Sequence, residues 1–126
     1  MKTVLVLEDD LTNLQLFGAV LGLTGYRVLE AKSGPAAIET YKHYDGPVDL
    51  FVSDVAVPEM TGTEVALELV RLQPGLPILF VCGTPWYAWD PKDVANVKQL
   101  PPARVGVLEK PFRPADFLDK VSEMVL

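Results

Sequence analysis

The chain has 126 residues, 49% of them hydrophobic and 22% charged, an ordinary composition for one domain built around a single sizeable core. Acidic residues outnumber basic ones 17 to 11, a net charge of −6, which argues against nucleic acid as a direct partner because phosphate binding needs a basic face. The single cysteine, Cys82, excludes an internal disulfide and a Cys-rich zinc cage and fits a reducing compartment, and the single histidine, His43, excludes a His-cluster metal site. The apolar run over 4–7 is broken at once by Glu8, Asp9 and Asp10, far short of a signal-peptide core or a membrane span, so a cytoplasmic protein without membrane contact is expected.

Strand-like and helix-like stretches alternate along the chain. Thr3-Val4-Leu5-Val6-Leu7 is continuously apolar, as a strand covered on both faces should be, and it ends in three acids. Leu14, Phe17 and Leu21 predict a helix over 12–23, stopped by Gly25. A second strand follows over 26–31, then a helix over about 34–44 with Pro35 at a first-turn position. His43 near its end has no partner motif and is assigned no function. Leu50-Phe51-Val52-Ser53 reads as a third, buried strand that stops at Asp54, after which Pro58 and Gly62 punctuate a loop.

Thr61-Gly62-Thr63-Glu64 has the form of a capping box, with Val65, Leu69 and Leu72 as the apolar stripe of the helix behind it and Pro74-Gly75 as its stop. The run over 77–82 is a fourth strand. Asp90-Pro91, with Asp93 in the first turn, opens a helix to about Leu100. Between them lies an aromatic loop with Trp86, Tyr87 and Trp89, for which core packing is favoured over partner docking. The run over 105–109 is a fifth strand, and Pro114 opens a last helix with Phe117, Val121 and Val125 on one face. Five such units predict a three-layer (βα)5 architecture with a parallel five-stranded sheet and right-handed crossovers.

Ligands bind open α/β sheets at the carboxyl ends of the strands. Glu8, Asp9 and Asp10 end the first strand, Asp54 the third, and Glu109-Lys110-Pro111 the fifth. No Gly-rich phosphate loop, Gly-x-Ser-x-Gly elbow or His-Glu-x-x-His helix competes for that edge. Read alone, Asp54 could equally be a loop aspartate capping the next helix. Clustered carboxylates raise each other's pKa unless a cation intervenes, and a magnesium ion suits a site of few carboxylates, water and phosphate oxygens.

The acidic pair after the first strand, Asp54 ending the third, the following Pro58 and Gly62, and Lys110-Pro111-Phe112 after the fifth together resemble the receiver domain of two-component response regulators. The resemblance covers essentially the whole chain and implies one receiver domain over 1–126, doubly wound and flavodoxin-like, with strand order 2-1-3-4-5. It implies that Asp54 is the phosphoacceptor, charged by phosphohistidine on a sensor histidine kinase or phosphotransfer protein. Asp9 and Asp54 would ligate Mg2+ directly, Glu8 through water and Ala56 through its backbone carbonyl. Lys110 would pair with Asp54 and then with the phosphoryl group, and the bond to Pro111 is expected to be cis.

The same resemblance marks two departures. Cys82 stands where the family usually has Thr or Ser, and a thiol is the weaker donor. Val107, three positions before the lysine, stands where an aromatic switch residue is usual, so ordinary Thr/Tyr coupling is not expected; Thr84 is the remaining tuning position. The expected output is a change on the fourth and fifth β/α face that controls an effector domain or downstream protein, in a monomer or weak dimer. The domain is expected to accept a phosphoryl group and lose it slowly rather than act as an enzyme. A receiver-like interaction module that does not signal by phosphorylation is the alternative. A small metal-dependent phosphohydrolase is a third reading, disfavoured because no general acid accompanies Asp54 and Lys110.

Overall fold

The structure, a computed structural model, describes residues 1–125; Leu126, the last residue of the expected module, lies outside the described residues. Five strands, β1 (Thr3–Leu7), β2 (Arg27–Ala31), β3 (Leu50–Asp54), β4 (Ile78–Cys82) and β5 (Val105–Glu109), alternate with helices α1 (Leu11–Leu23), α2 (Gly34–His43), α3 (Gly62–Leu72), α4 (Pro91–Lys98) and α5 (Pro114–Met124). The sheet is parallel throughout, in the order β2-β1-β3-β4-β5, the order that the family resemblance implies.

Alternation along each strand divides the core in two. Leu5, Leu7, Phe51, Ile78 and Phe80 face one layer with Ala37, Val65, Leu69 and Leu100, against α2, α3 and α4. Val4, Val6, Leu50, Val52, Leu79 and Val81 face the other with Phe17 and Leu21 of α1 and Phe117 and Val121 of α5. Every residue of β1 and β4 is buried, whereas edge strand β2 is partly exposed. Both faces of the central strands are therefore covered, which explains their unbroken apolar character.

Local chemistry sets the helix ends. Asp10 caps α1 by accepting from the Asn13 amide at 3.0 Å, so the helix begins one residue earlier than its apolar spacing predicts. Ser33 caps α2 and Asp90 caps α4, each followed by proline in the first turn. The expected capping box at α3 is complete: the Thr61 amide donates to Glu64 Oε1 at 3.0 Å and the Glu64 amide to Thr61 Oγ1 at 3.4 Å. Helix α4 stops at Lys98, short of the expected Leu100, because Leu100 turns into the core. Two 3-10 turns that periodicity does not show, Trp86–Ala88 and Pro102–Arg104, precede α4 and β5.

Candidate functional site

Topology brings the acids together. Strands β1 and β3 are neighbours, with Leu7 opposite Ser53, so the next residue of each, Glu8 and Asp54, leaves the sheet at the same edge. Carboxylate oxygens of Glu8, Asp9 and Asp54 all lie within 4.8 Å of one another. Glu8 is buried, Asp54 half-buried and Asp9 exposed, so the cluster faces solvent through Asp9. Asp10, the third acid of the run, is turned to its capping role.

Lys110 enters from the end of β5, which is separated from β3 by β4 alone. Its amide donates to the Cys82 carbonyl at 2.7 Å, and Nζ donates to Glu8 Oε1 at 3.2 Å and to Asp54 Oδ2 at 3.1 Å. The Lys110–Pro111 bond is cis, as expected. The other Asp54 oxygen, Oδ1, accepts from the Ala56 amide at 3.1 Å. The nucleophile candidate is thus held at both oxygens, and the loop bearing the Ala56 carbonyl starts beside it.

Burial pushes the Glu8 pKa up and the charge of Asp54 adds to the shift, against the Asp10 amide and Lys110, which favour the ionised form. For Lys110, desolvation disfavours the ammonium, but hydrogen bonds and charges from Asp54 and Glu8 outweigh it and leave the pKa above its ordinary value. Lys110 therefore carries a positive charge at neutral pH and meets part of the need for a cation.

A cavity of about 210 Å3 opens beside Asp54, with Ala56, Cys82, Thr84, Trp89 and Asp93 in its wall. Cys82 is buried, its Sγ 4.0 Å from the Leu108 carbonyl oxygen. Desolvation raises its pKa, so the thiol is neutral and offers at most a weak hydrogen bond. Thr84 is exposed at the rim, and its carbonyl accepts from Trp89 Nε1 at 3.1 Å. Val107 is not at this site. It is 40% exposed on β5 and lines an apolar groove with Trp86, Trp89, Val94 and Val97.

The aromatic loop divides between the two roles weighed for it. Trp89 packs into the core edge-on to Phe80, with ring centroids 5.9 Å apart. Trp86 and Tyr87 stand exposed at 57% and 74%, contrary to core packing for the loop as a whole, because the 3-10 turn directs their rings outward. His43 is exposed at the end of α2, its Nδ1 2.9 Å from the Glu39 carbonyl, consistent with no role at the site.

Sequence reasoning missed Asp93. It sits in the first turn of α4, where an exposed acid complementing the helix dipole is expected, yet it is 8% exposed and accepts from Thr61 Oγ1 at 2.8 Å and Thr63 Oγ1 at 2.5 Å. The signal available was Thr61-x-Thr63 just before an apolar stripe, two hydroxyls of which one exceeds the needs of a cap. No helix among the described residues is long and apolar enough to cross a membrane.

Residues 4–122 match the family model described as the response regulator receiver domain. Over 126 residues the chain is 39% identical to the sensor kinase CckA of Brucella abortus, covering 98% of this chain but 12% of that kinase's length. It is 30% identical to the response regulator receiver protein CpdR of the same organism, covering all of this chain and 98% of that protein. A CheY-like receiver domain from Methanospirillum hungatei superposes with a TM-score of 0.84 at 24% identity, over 99% of this chain and 94% of that one. Sheet order, family model and a relative matched over nearly its full length agree, and the chain belongs to the response regulator receiver domain family, a phosphoacceptor signalling domain.

Proposed function

We propose that Asp54 is the phosphoacceptor of this domain and that Glu8, Asp9 and Lys110 are its working partners. The observation that carries this reading is the double hold on Asp54, by Lys110 Nζ at 3.1 Å and the Ala56 amide at 3.1 Å. It fixes the carboxylate at the sheet edge while leaving it open to the cavity.

An Asp54 oxygen attacks phosphorus in line with the leaving group. A P–O bond to Asp54 forms as the P–N bond of the donor phosphohistidine breaks, and the imidazole nitrogen keeps the electron pair, so a ring protonated at its other nitrogen leaves as neutral imidazole. Such a transfer asks for positioning and charge neutralisation more than for covalent chemistry from the protein. Lys110 supplies a fixed positive charge beside the transferred group, moving its hydrogen bond from the Asp54 carboxylate to a phosphoryl oxygen.

The donor set fits Mg2+: oxygen atoms only, from the carboxylates of Asp9 and Asp54 and from the buried Glu8, whose proton affinity is raised by burial and by Asp54. Asp9 and Asp54 would hold the ion directly, Glu8 through water, and the Ala56 carbonyl would complete the protein ligands. When bound, the ion screens the charge between the carboxylates and the incoming phosphoryl oxygens.

The donor is a sensor histidine kinase or phosphotransfer protein, and the output is a change on the face of α4 and β5 read by an effector domain or downstream protein. Residues 1–126 act as one receiver module, in the cytoplasm, as a monomer or weak dimer. The domain loses its acyl phosphate slowly and acts as a signal carrier rather than an enzyme. Intact-mass measurement after incubation with acetyl phosphate and Mg2+ tests the assignment. The parent gains one phosphoryl group and Asp54→Asn gains none; an equal gain in the variant overturns the choice of nucleophile.

A further inference from the structure

We propose that Asp93 is a positioning residue that ties the aromatic loop to the phosphoacceptor loop and that its hold weakens when charge arrives on Asp54; the inference rests on Asp54 being the acceptor. Asp93 lies one turn after Trp89, at the start of α4. Its Oδ1 takes two hydroxyl hydrogen bonds, from Thr61 at 2.8 Å and from the fully buried Thr63 at 2.5 Å. Asn96, one turn further along α4, donates to Thr63 Oγ1 at 3.1 Å. Helix α4 is therefore fastened by two side chains to the start of α3.

Both ends of the segment between Cys82 and Asp93 are thus fixed, one in β4 and one on α3, and the Trp89 indole pins its middle to the Thr84 carbonyl. Gly62, the residue after Thr61, closes the loop that begins at Asp54: its amide donates to the Val55 carbonyl at 2.9 Å. One carboxylate joins the loop that carries Ala56 to the loop that carries Trp86 and Trp89.

Charge makes this tie responsive. Asp93 and Asp54 line the same cavity of about 210 Å3, and physiological salt leaves charges coupled over roughly 8–10 Å. At rest Lys110 offsets Asp54. A phosphoryl group replaces one negative charge by about two, beside the cavity that Asp93 also lines. Repulsion disfavours the position in which Asp93 meets Thr61 and Thr63, so α4 and the loop before it are released. An amide at this position accepts the same two hydroxyl bonds but lacks the charge.

Variants are compared in a Trp86→Phe background, which leaves Trp89 as the one tryptophan. Acrylamide quenching is read in Mg2+ throughout, with and without beryllofluoride, and phosphoryl uptake by intact mass. In the background protein, beryllofluoride raises Trp89 quenching. Asp93→Asn shows the same quenching at rest, normal uptake, and a beryllofluoride response reduced about fivefold or more, the lower range of ordinary allosteric coupling. Asp93→Ala is more quenched at rest and responds little further, and Thr63→Val, which removes one hydroxyl without changing shape, lies between parent and Ala. An Asp93→Asn response equal to the parent's, with uptake intact, overturns the coupling alone. An unchanged resting state in both Asp93→Ala and Thr63→Val overturns the positioning role. A parent that takes up no phosphoryl group overturns the reading of Asp54, and this inference with it.

Discussion

Glu8 shows how one residue's environment becomes a measurable pH dependence. Its pKa is raised above the ordinary 4.5, first by burial and then by Asp54, so the folded chain binds this proton more tightly than the unfolded one. In the window between 4.5 and the raised value, deprotonation costs the folded state more, and stability falls as pH rises. Glu8→Gln removes that component. Melting temperatures in metal-free buffer should therefore fall less steeply with pH across this window in the variant than in the parent, and parallel profiles would show that Glu8 is not the group titrating. Cys82 is the second informative residue. Its neutral, buried thiol lines the Asp54 cavity and donates weakly, whereas hydrogen bonds to charged groups contribute on the order of 1.5–3 kcal/mol. Cys82→Thr should keep phosphoryl uptake and enlarge the beryllofluoride-induced change of the Trp86/Trp89 loop, by about tenfold or more in the underlying equilibrium. Amide exchange of that loop measures it, and equal protection changes in both proteins would mean that the thiol is no handicap.

Among the elements, the β3–α3 junction is the most tightly constrained. A Cβ on Gly62 would collide with the Asp54 carbonyl oxygen and the Ser53 hydroxyl, and the loop before it turns through Glu59 at φ 71, the left-handed region that costs a non-glycine residue energy. Gly62→Ala should destabilise by about 1–3 kcal/mol or more, as overpacking does, and should slow phosphoryl uptake because the collision displaces the acceptor's own backbone. Urea denaturation together with uptake kinetics separates the two effects; unchanged uptake in a destabilised variant would place the displacement in α3 instead. This junction also shows what the sequence reveals. The strand ending at Asp54 and the capping box are local patterns, β/α alternation implies a parallel sheet, and the family resemblance supplies the strand order, so together they made the meeting of Glu8, Asp9, Asp54 and Lys110 legible. Asp93 was not, because its burial depends on how α4 packs against α3, a contact between residues 30 and 32 positions apart. Trp86 and Trp89 share a composition signal yet take opposite exposures, which only the 3-10 turn decides.

At the scale of the whole molecule, the net charge of −6 and the acidic cluster act on stability in distinguishable ways. Added salt of any kind screens the general self-repulsion of an acidic chain. A divalent ion seated among Glu8, Asp9 and Asp54 does something further, because the unfolded chain has no such site and preferential binding stabilises the folded state by RT ln(1 + [L]/Kd), about 2.7 kcal/mol at a hundredfold excess over Kd. Magnesium at millimolar concentration should therefore raise the melting temperature beyond what sodium chloride of equal ionic strength achieves, and beryllofluoride added with it should raise it again. Asp9→Ala removes an exposed ligand without opening a cavity in the core and should abolish most of the magnesium-specific part while leaving the sodium chloride response as it was. If sodium chloride at matched ionic strength reproduces the full magnesium shift in the parent, the cluster holds no ion, and the stabilisation belongs to the charge of the molecule rather than to the site.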